Sequence, residues 1–404
     1  MREFDLIVFG ATGFTGRLVA EALLEFPEPD LRWAIAGRNE AKLRAVRGEL
    51  AERFPGAERV PLVVADVTDA DSMAAMAART RVVCSTVGPY TRYGDATVNA
   101  CVSNGTDYCD ITGEVNWMRS VIDAHHEDAV QRQCRIVHAA GFDSVPFDLG
   151  VYVLQQAAVE RWGAPATTVR TATGRMKGGL SGGTLASMML IMDSVRRDRR
   201  VLRQLANPYV LVPGGTGPDK NEHQRVEHWP EHGVWTGPFI MAGCNTRVVR
   251  RSHALLGAPW GEDFSYTEAM GTGRGVRGWV RAQVMRAGLG AMVVILATPL
   301  LRALALGRWL PNPGDGPTLH QRTTGHFAAH VVGSRGDRTI AVDVTGEGDP
   351  GYLATSRMLA QTALALATDA LPPRYGVLTP ASVLGEALPP RLERVGIRFT
   401  VRSA

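Results

Sequence analysis

The chain has 404 residues, 45% of them hydrophobic and 21% charged, with a formal net charge of +4. This is the composition of a globular protein too long for one ordinary domain, which excludes a disordered or fibrous chain. A charge so close to balance excludes a polyelectrolyte partner, so no nucleic acid is expected.

Phe4-Asp5-Leu6-Ile7-Val8-Phe9 is an apolar run short enough for a buried strand, and it meets Gly10-Ala11-Thr12-Gly13-Phe14-Thr15-Gly16. A helical pattern (Leu18, Val19, Ala22, Leu23) follows. Gly10 suits the sharp turn, where a Cβ would be penalised. Gly13 would let the backbone approach a pyrophosphate, and Gly16 would let the helix pack closely. The helix N-terminus then holds the phosphates.

Leu31–Ala36 reads as a second strand, ending in Gly37-Arg38-Asn39. The acidic residue that receives a ribose 2′-hydroxyl is missing there, and Arg38 stands at the tip with Lys42 one turn on. A guanidinium binds a 2′-phosphate by paired charge-assisted bonds, so NADP(H) is the expected cofactor. Asn39 is placed to cap a helix reaching about Phe54. A third strand ends at Asp66, which suits either an adenine amino group or the cap of the next helix. Strands near 81–86, 106–110 and 135–139 follow, alternating with helices.

From about Asp148 the pattern changes. The sequence predicts a strand at 167–173 and a long helix from Thr184 to Ala206. It predicts a loop from Asn207 to Gly233, and a hairpin of 326–332 and 338–345 around Ser334-Arg335-Gly336-Asp337. A helix over 355–370, apolar on more than one face, is expected to be buried. The fold class is therefore α/β: an N-terminal Rossmann doubly wound parallel sheet, then an α+β domain with a mostly antiparallel sheet. The expected domains are 1–147 for NADP, 148–352 for substrate or dimerisation, and 353–404 packing back on the first.

Between Ala269 and Gly314 the sequence has six arginines and no acidic residue. Within it, Ala287–Leu301 is uncharged but holds Pro299 and is short for a crossing, which needs about 20 apolar residues. With Trp279 and Trp309 at its margins, basic segment 274–310 suits an interfacial anchor, a core helix or a dimer interface alike. The odd cysteine count (Cys84, Cys101, Cys109, Cys134, Cys244) without a C-x-x-C pair suggests reduced thiols in a cytoplasmic protein. The early first strand leaves no room for a signal peptide in this sequence.

Ligands of open α/β sheets bind beyond the carboxyl ends of the strands. Three polar loops converge there: Thr86-Val87-Gly88-Pro89-Tyr90 with Tyr93, Asp110 to Glu114, and Gly141 to Pro146. Lys177, Ser181 and Thr184 precede the long helix and suit an anion or a polarised carbonyl, or an ordinary capped loop. The sequence has no nucleophile elbow and no tight metal-ligand cluster, so no metal is expected.

Gly10–Gly16, Ala36–Arg38, Thr86–Gly94, Gly105–Glu114, Gly141–Pro146, Ser181–Thr184, Asn245–Ser252 and Gly376–Ala381 occur in this order. Together they resemble the saccharopine dehydrogenase-like oxidoreductases, and most closely the actinobacterial trans-acting enoyl reductase branch. The resemblance implies NADPH-dependent reduction of a carbon–carbon double bond in an acyl or polyketide-type lipid intermediate delivered by a separate synthase. An imine reductase of the saccharopine type is the alternative within the family. A non-catalytic NADP-binding, membrane-associated scaffold is the alternative outside it, since a Rossmann site alone establishes only binding. Enoyl reduction needs a carbonyl polariser and a proton donor. Tyr90 or Tyr93 is the expected donor, and Lys177, Ser181 or Thr184 the expected polariser. The implied location is cytoplasmic, with contact at the inner face of the plasma membrane and a homodimer both compatible.

Overall fold

The computed structural model describes residues 2–174, 176–178, 182–220, 225–298, 300–302 and 316–402. In the first half, short runs form strands mostly buried on both faces, as suits a parallel sheet, with Val64 of the edge strand exposed. These are β1 (Phe4–Phe9), β2 (Trp33–Gly37), β3 (Leu62–Val64), β4 (Thr80–Ser85), β5 (Asp107–Asp110) and β6 (Arg135–Val137). Leu6, Ile7 and Val8 of β1 have no exposed surface. Helices α1 (Phe14–Glu25), α2 (Glu40–Ala51), α3 (Ala70–Ala78), α4 (Tyr90–Ser103) and α5 (Val115–Gln131) alternate with them. Asn39 caps α2 by accepting from the Lys42 amide.

The second half begins with α6 (Val145–Trp162), β7 (Thr168–Thr173), α7 (Gly182–Arg197) and α8 (Arg199–Ala206). Next come β8 (Glu227–Trp229), β9 (Val234–Gly237), α9 (Ala242–Leu255), β10 (Ser265–Gly273) and α10 (Gly275–Ala297). After α11 (Leu319–Thr323) lie β11 (His326–Arg335), β12 (Arg338–Glu347) and α12 (Thr355–Thr368), then β13 (Gly376–Leu378), α13 (Pro380–Leu384), α14 (Leu388–Arg394) and β14 (Ile397–Arg402).

Two seven-stranded sheets result. The first, in the order β13-β6-β5-β4-β1-β2-β3, is parallel throughout. The second runs β14-β12-β11-β7-β10-β9-β8 and is antiparallel except for the β7–β10 pair. The expected α/β plus α+β class is the observed one, and the expected 326–345 hairpin forms, its turn tighter than the expected 334–337, with Arg335 opposite Arg338.

Four expectations change. The helix predicted over 184–206 is two helices, because Asp198 is extended and accepts from the Arg200 amide, capping α8 in mid-run. The predicted 207–233 loop contains β8, which pairs with β9. Segment 353–404 does not lie on the first domain alone. Its α12 packs across α1, β1, β4 and β5, and β13 extends the parallel sheet beside β6. Its last strand, β14, instead pairs with β12 of the other sheet. The boundary expected at residue 147 falls in the first turn of α6, which packs on β11 and β12.

Candidate functional site at the carboxyl edge of the parallel sheet

Gly10 ends β1 with φ +92°, a conformation that L side chains rarely adopt. Its amide donates to Ala36 O at 2.9 Å, and Gly13 donates back to Gly10 O at 2.9 Å, closing the turn. A Cβ on Gly16 would lie 2.3 Å from Gly10 O, so only glycine lets α1 start this close to the strand. The first turn of α1 has neither a side-chain cap nor an acidic residue, leaving its amides and dipole for an anion. Ala11, Thr12, Phe14 and Thr15 share this turn. Thr86 Oγ1 braces it, lying 3.2 and 3.3 Å from the carbonyls of Phe9 and Gly10.

Arg38 and Lys42 are exposed at the end of β2, and neither side chain forms an ion pair among the described residues. Asp66 accepts from the Thr68 amide and hydroxyl at 3.0 and 2.9 Å. Those two bonds, with Arg38's charge, hold its carboxyl below the ordinary range. Asp66 does not cap α3. Asp69 does, accepting from Asp71 and Ser72. Asp66 therefore closes its own turn, with Arg38 near.

Beyond β4, Val87 follows Thr86 and the Gly88–Pro89 bond is cis. Tyr90 turns inward. Its hydroxyl donates to Ser85 O at 3.1 Å, its ring stacks on Trp117 at 5.4 Å, and burial raises its hydroxyl pKa well above the ordinary value. A phenol so placed orders the loop and spends its proton on a backbone carbonyl, which argues against the donor role expected for it. Tyr93 is half-buried with Arg92 stacked on its ring.

The carboxyl edge also holds residues whose pairing the sequence does not disclose. Glu114 is fully buried and accepts from the amides of Tyr90 (2.9 Å) and Thr91 (2.8 Å), from the Thr91 hydroxyl and from Ser187 (2.7 Å). It thereby satisfies the N-terminus of α4 and ties α7 over the end of β5. Asp110 accepts from the amides of Thr112 and Ala139 and from Tyr108, and contacts His138 Nδ1 at 2.8 Å. Glu114 and Asp110 stand in a motif visible in the sequence. Ser187 and His138 carry no local signal, because only the tertiary fold brings them there.

The second domain closes on the glycine turn from the other side. Tyr352 packs edge-on to Phe14 with ring centroids 4.8 Å apart, and its hydroxyl accepts from the Gly182 amide. Arg322 lies over the same Phe14 ring at 5.4 Å. Lys177 is exposed, its Nζ bonded to Thr324 Oγ1 at 3.0 Å. Thr184 lies in the first turn of α7. Ser181 falls outside the described residues. Among the described residues no cluster of ligating side chains fits a metal ion.

A bare helix N-terminus behind a glycine cradle, with an unpaired arginine at the tip of β2, defines the class as an NADP-dependent oxidoreductase of the Rossmann type. Residues 6–137 match the family described as the saccharopine dehydrogenase NADP binding domain. A Mycobacterium tuberculosis protein provisionally named a trans-acting enoyl reductase is 43% identical over 411 positions, covering 98% of this chain and 97% of its own. A trans-acting enoyl reductase of Mycobacterium leprae is 39% identical over 418 positions, with the same coverage. The chain belongs to the saccharopine dehydrogenase-like family, in the branch of these mycobacterial proteins. Saccharopine dehydrogenase (L-Glu forming) of Saccharomyces cerevisiae, solved in its apo form, shares the fold. Its TM-score is 0.53 at 14% identity, covering 98% of this chain and 99% of that one.

Proposed function

We propose that the chain reduces the carbon–carbon double bond of an enoyl group on an acyl or polyketide-type lipid intermediate presented by a separate synthase. The observation that carries this reading is the near full-length similarity to proteins named trans-acting enoyl reductases. Bound NADPH supplies a hydride. Gly10 to Gly16 would hold its pyrophosphate, Arg38 its 2′-phosphate, Asp66 its adenine, and Thr86 to Pro89 would line its nicotinamide end. Lys177, Ser181 and Thr184 are the groups proposed to hold the substrate carbonyl as charge develops on its oxygen.

The exposed α10 supports a lipid-facing role. Only Gly278, Ala282 and Leu296 of its 23 residues are buried, which argues against a core-helix reading of residues 275–297. It is long and apolar enough to cross a membrane. However, Arg274, Arg277, Arg281 and Arg286 flank or lie within it and pair with no carboxylate among the described residues. Charges so placed favour lying in an anionic interface over crossing it. A cytoplasmic protein resting on the inner face of the plasma membrane, with α10 against the lipid, is the proposed arrangement. Pairing of two copies through α10 is the alternative occupant.

The deciding experiment follows NADPH oxidation with an enoyl thioester, a saturated thioester and a cyclic imine. The expected result is substrate-dependent oxidation with the enoyl thioester alone and a product heavier by two hydrogens. Oxidation with the imine alone would move the chain to imine reduction. NADPH binding with no turnover on any substrate would favour a scaffold.

A further inference from the structure

Of the carboxyl groups Asp110, Glu114, Asp143 and Asp148, at or next to the ends of β5 and β6, three are bonded. Asp110 and Glu114 hold the partners described above. Asp148, on α6, accepts from Ser252 at 2.6 Å and from the Ala381 amide at 2.8 Å. Asp143 has neither a hydrogen bond nor an ion pair among the described residues. Asp143 is half-buried, so its carboxyl is open to water or to a bound ligand.

Its backbone is nevertheless pinned on both sides. The Phe142 amide donates to Thr355 Oγ1 at 3.1 Å, Ser144 Oγ lies 3.3 Å from Asn245 Oδ1, and the Ser144 and Val145 amides close the turn on Gly141 O. The backbone on either side of Asp143 is thus held, while its carboxyl has no protein partner among the described residues. It faces Gly113, in the loop after β5. A Cβ there would sit 3.7 Å from Asp143 Oδ2 and 3.9 Å from Met241 Cε. Gly113 keeps the strip between the β5 and β6 loops bare, at the end of the sheet where a nicotinamide binds in this fold.

We infer that Asp143 is the proton donor of the reduction. This rests on the enoyl reading above. As hydride arrives at the β-carbon, the electron pair of the double bond takes the Asp143 proton at the α-carbon. The reaction gains one hydride and one proton, and the carboxylate regains its proton from water, because Asp143 is recessed without being sealed.

The environment suits the task. Burial alone pushes the carboxyl up to about 7, with no cation to oppose it. The titratable group facing it is Cys244 of α9, whose thiol burial pushes up to about 12 and which therefore stays neutral. An acid with a pKa near the working pH is the most effective general acid.

The test has two arms. In protein labelled with carbon-13 at aspartate carboxyls, one carboxyl of the cofactor-free chain should titrate near pH 7, and Asp143→Asn should remove that signal. With an enoyl thioester, Asp143→Asn should lower kcat about 100-fold while leaving the NADPH dissociation constant and the thermal midpoint within error. The wild-type kcat should fall as pH rises through 7, and the residual kcat of the variant should lose that fall. Wild-type turnover by Asp143→Asn, or titration of Asp143 near pH 4, overturns the proposal. A wild-type chain inert toward every enoyl thioester overturns the substrate reading instead, and the carboxyl titration still decides whether Asp143 holds a proton at neutrality.

Discussion

Helices α12 and α10 are both apolar around most of their circumference, yet twelve of the fourteen residues of α12 are buried and only three of the twenty-three of α10. The sequence of α12 alternates Met358, Leu359 and Leu364 with Ala360, Ala363, Ala365 and Ala367, so it can press flat against α1 and the strands beneath. Its one charged side chain, Arg357, reaches Glu25 at 3.1 Å. On α10, Val276 and Val284 are 77% and 67% exposed, and Gly288 and Gly290 face open space. Hydropathy alone does not separate the two helices. What separates them is whether neighbouring elements supply a complementary face, and whether the flanking charges find carboxylates within the same chain.

The contrast can be broken most violently on α12. Leu364→Ala should cost about 2–5 kcal/mol, the range for a buried leucine that leaves a cavity, read from urea unfolding. A loss under about 1 kcal/mol would mean that α12 is less tightly covered than its burial implies.

A smaller effect tests how firmly the segment containing α12 is attached. Asp148 holds the Ala381 amide, and burial pushes its carboxyl up to about 7, against the pull of its bonds to Ser252 and Ala381. Its folded pKa lies above its unfolded value near 4. The folded state therefore keeps a proton that the unfolded chain releases, and this group's contribution to stability falls as pH rises from about 4 to about 7. Asp148→Asn should flatten that part of the stability–pH curve. An unchanged slope between about pH 4 and 7 would contradict the assignment.

The smallest expected change in stability is on α10. Val284→Asp with Val294→Asp should alter unfolding free energy by less than about 0.5 kcal/mol, as exposed positions do. The same pair should abolish flotation with vesicles containing anionic lipid, whereas vesicles of neutral lipid should capture the wild type weakly. If the wild type ignores both and sediments as a dimer that the double variant splits, α10 covers a second copy.

Much of the nucleotide end was legible in the sequence because it is made of backbone. Gly10 must take a positive φ, Gly16 must lack a Cβ, and both demands fall on residues close together in the chain. Arg38 was legible for a similar reason, since the residue at the tip of β2 sits opposite the ribose in this fold. The loops after β5 and β6 are built from side chains brought together over long distances. Ser187 reaches Glu114 across 73 positions and Thr355 fixes Phe142 across 213, so no local pattern announces them. Tyr90 shows the opposite hazard. Its place after Pro89 suggested chemistry, and its inward rotation shows a packing role. The break at Asp198 leaves no mark on the periodicity, because a single capping side chain ends one helix and starts the next.

The shared C-terminal segment also has a bearing on how the protein is made. Gly376–Leu378 and Ile397–Arg402 are the last strands of the two sheets, each added after the strand it pairs with. On the ribosome, β6 and β12 therefore wait with an open edge while the rest of their sheets is already translated. An open edge is a template for wrong partners. A nascent chain stalled before Leu378 would leave both domains incomplete at once, so premature termination should yield a substrate for chaperones and proteases, with no half-working domain surviving it.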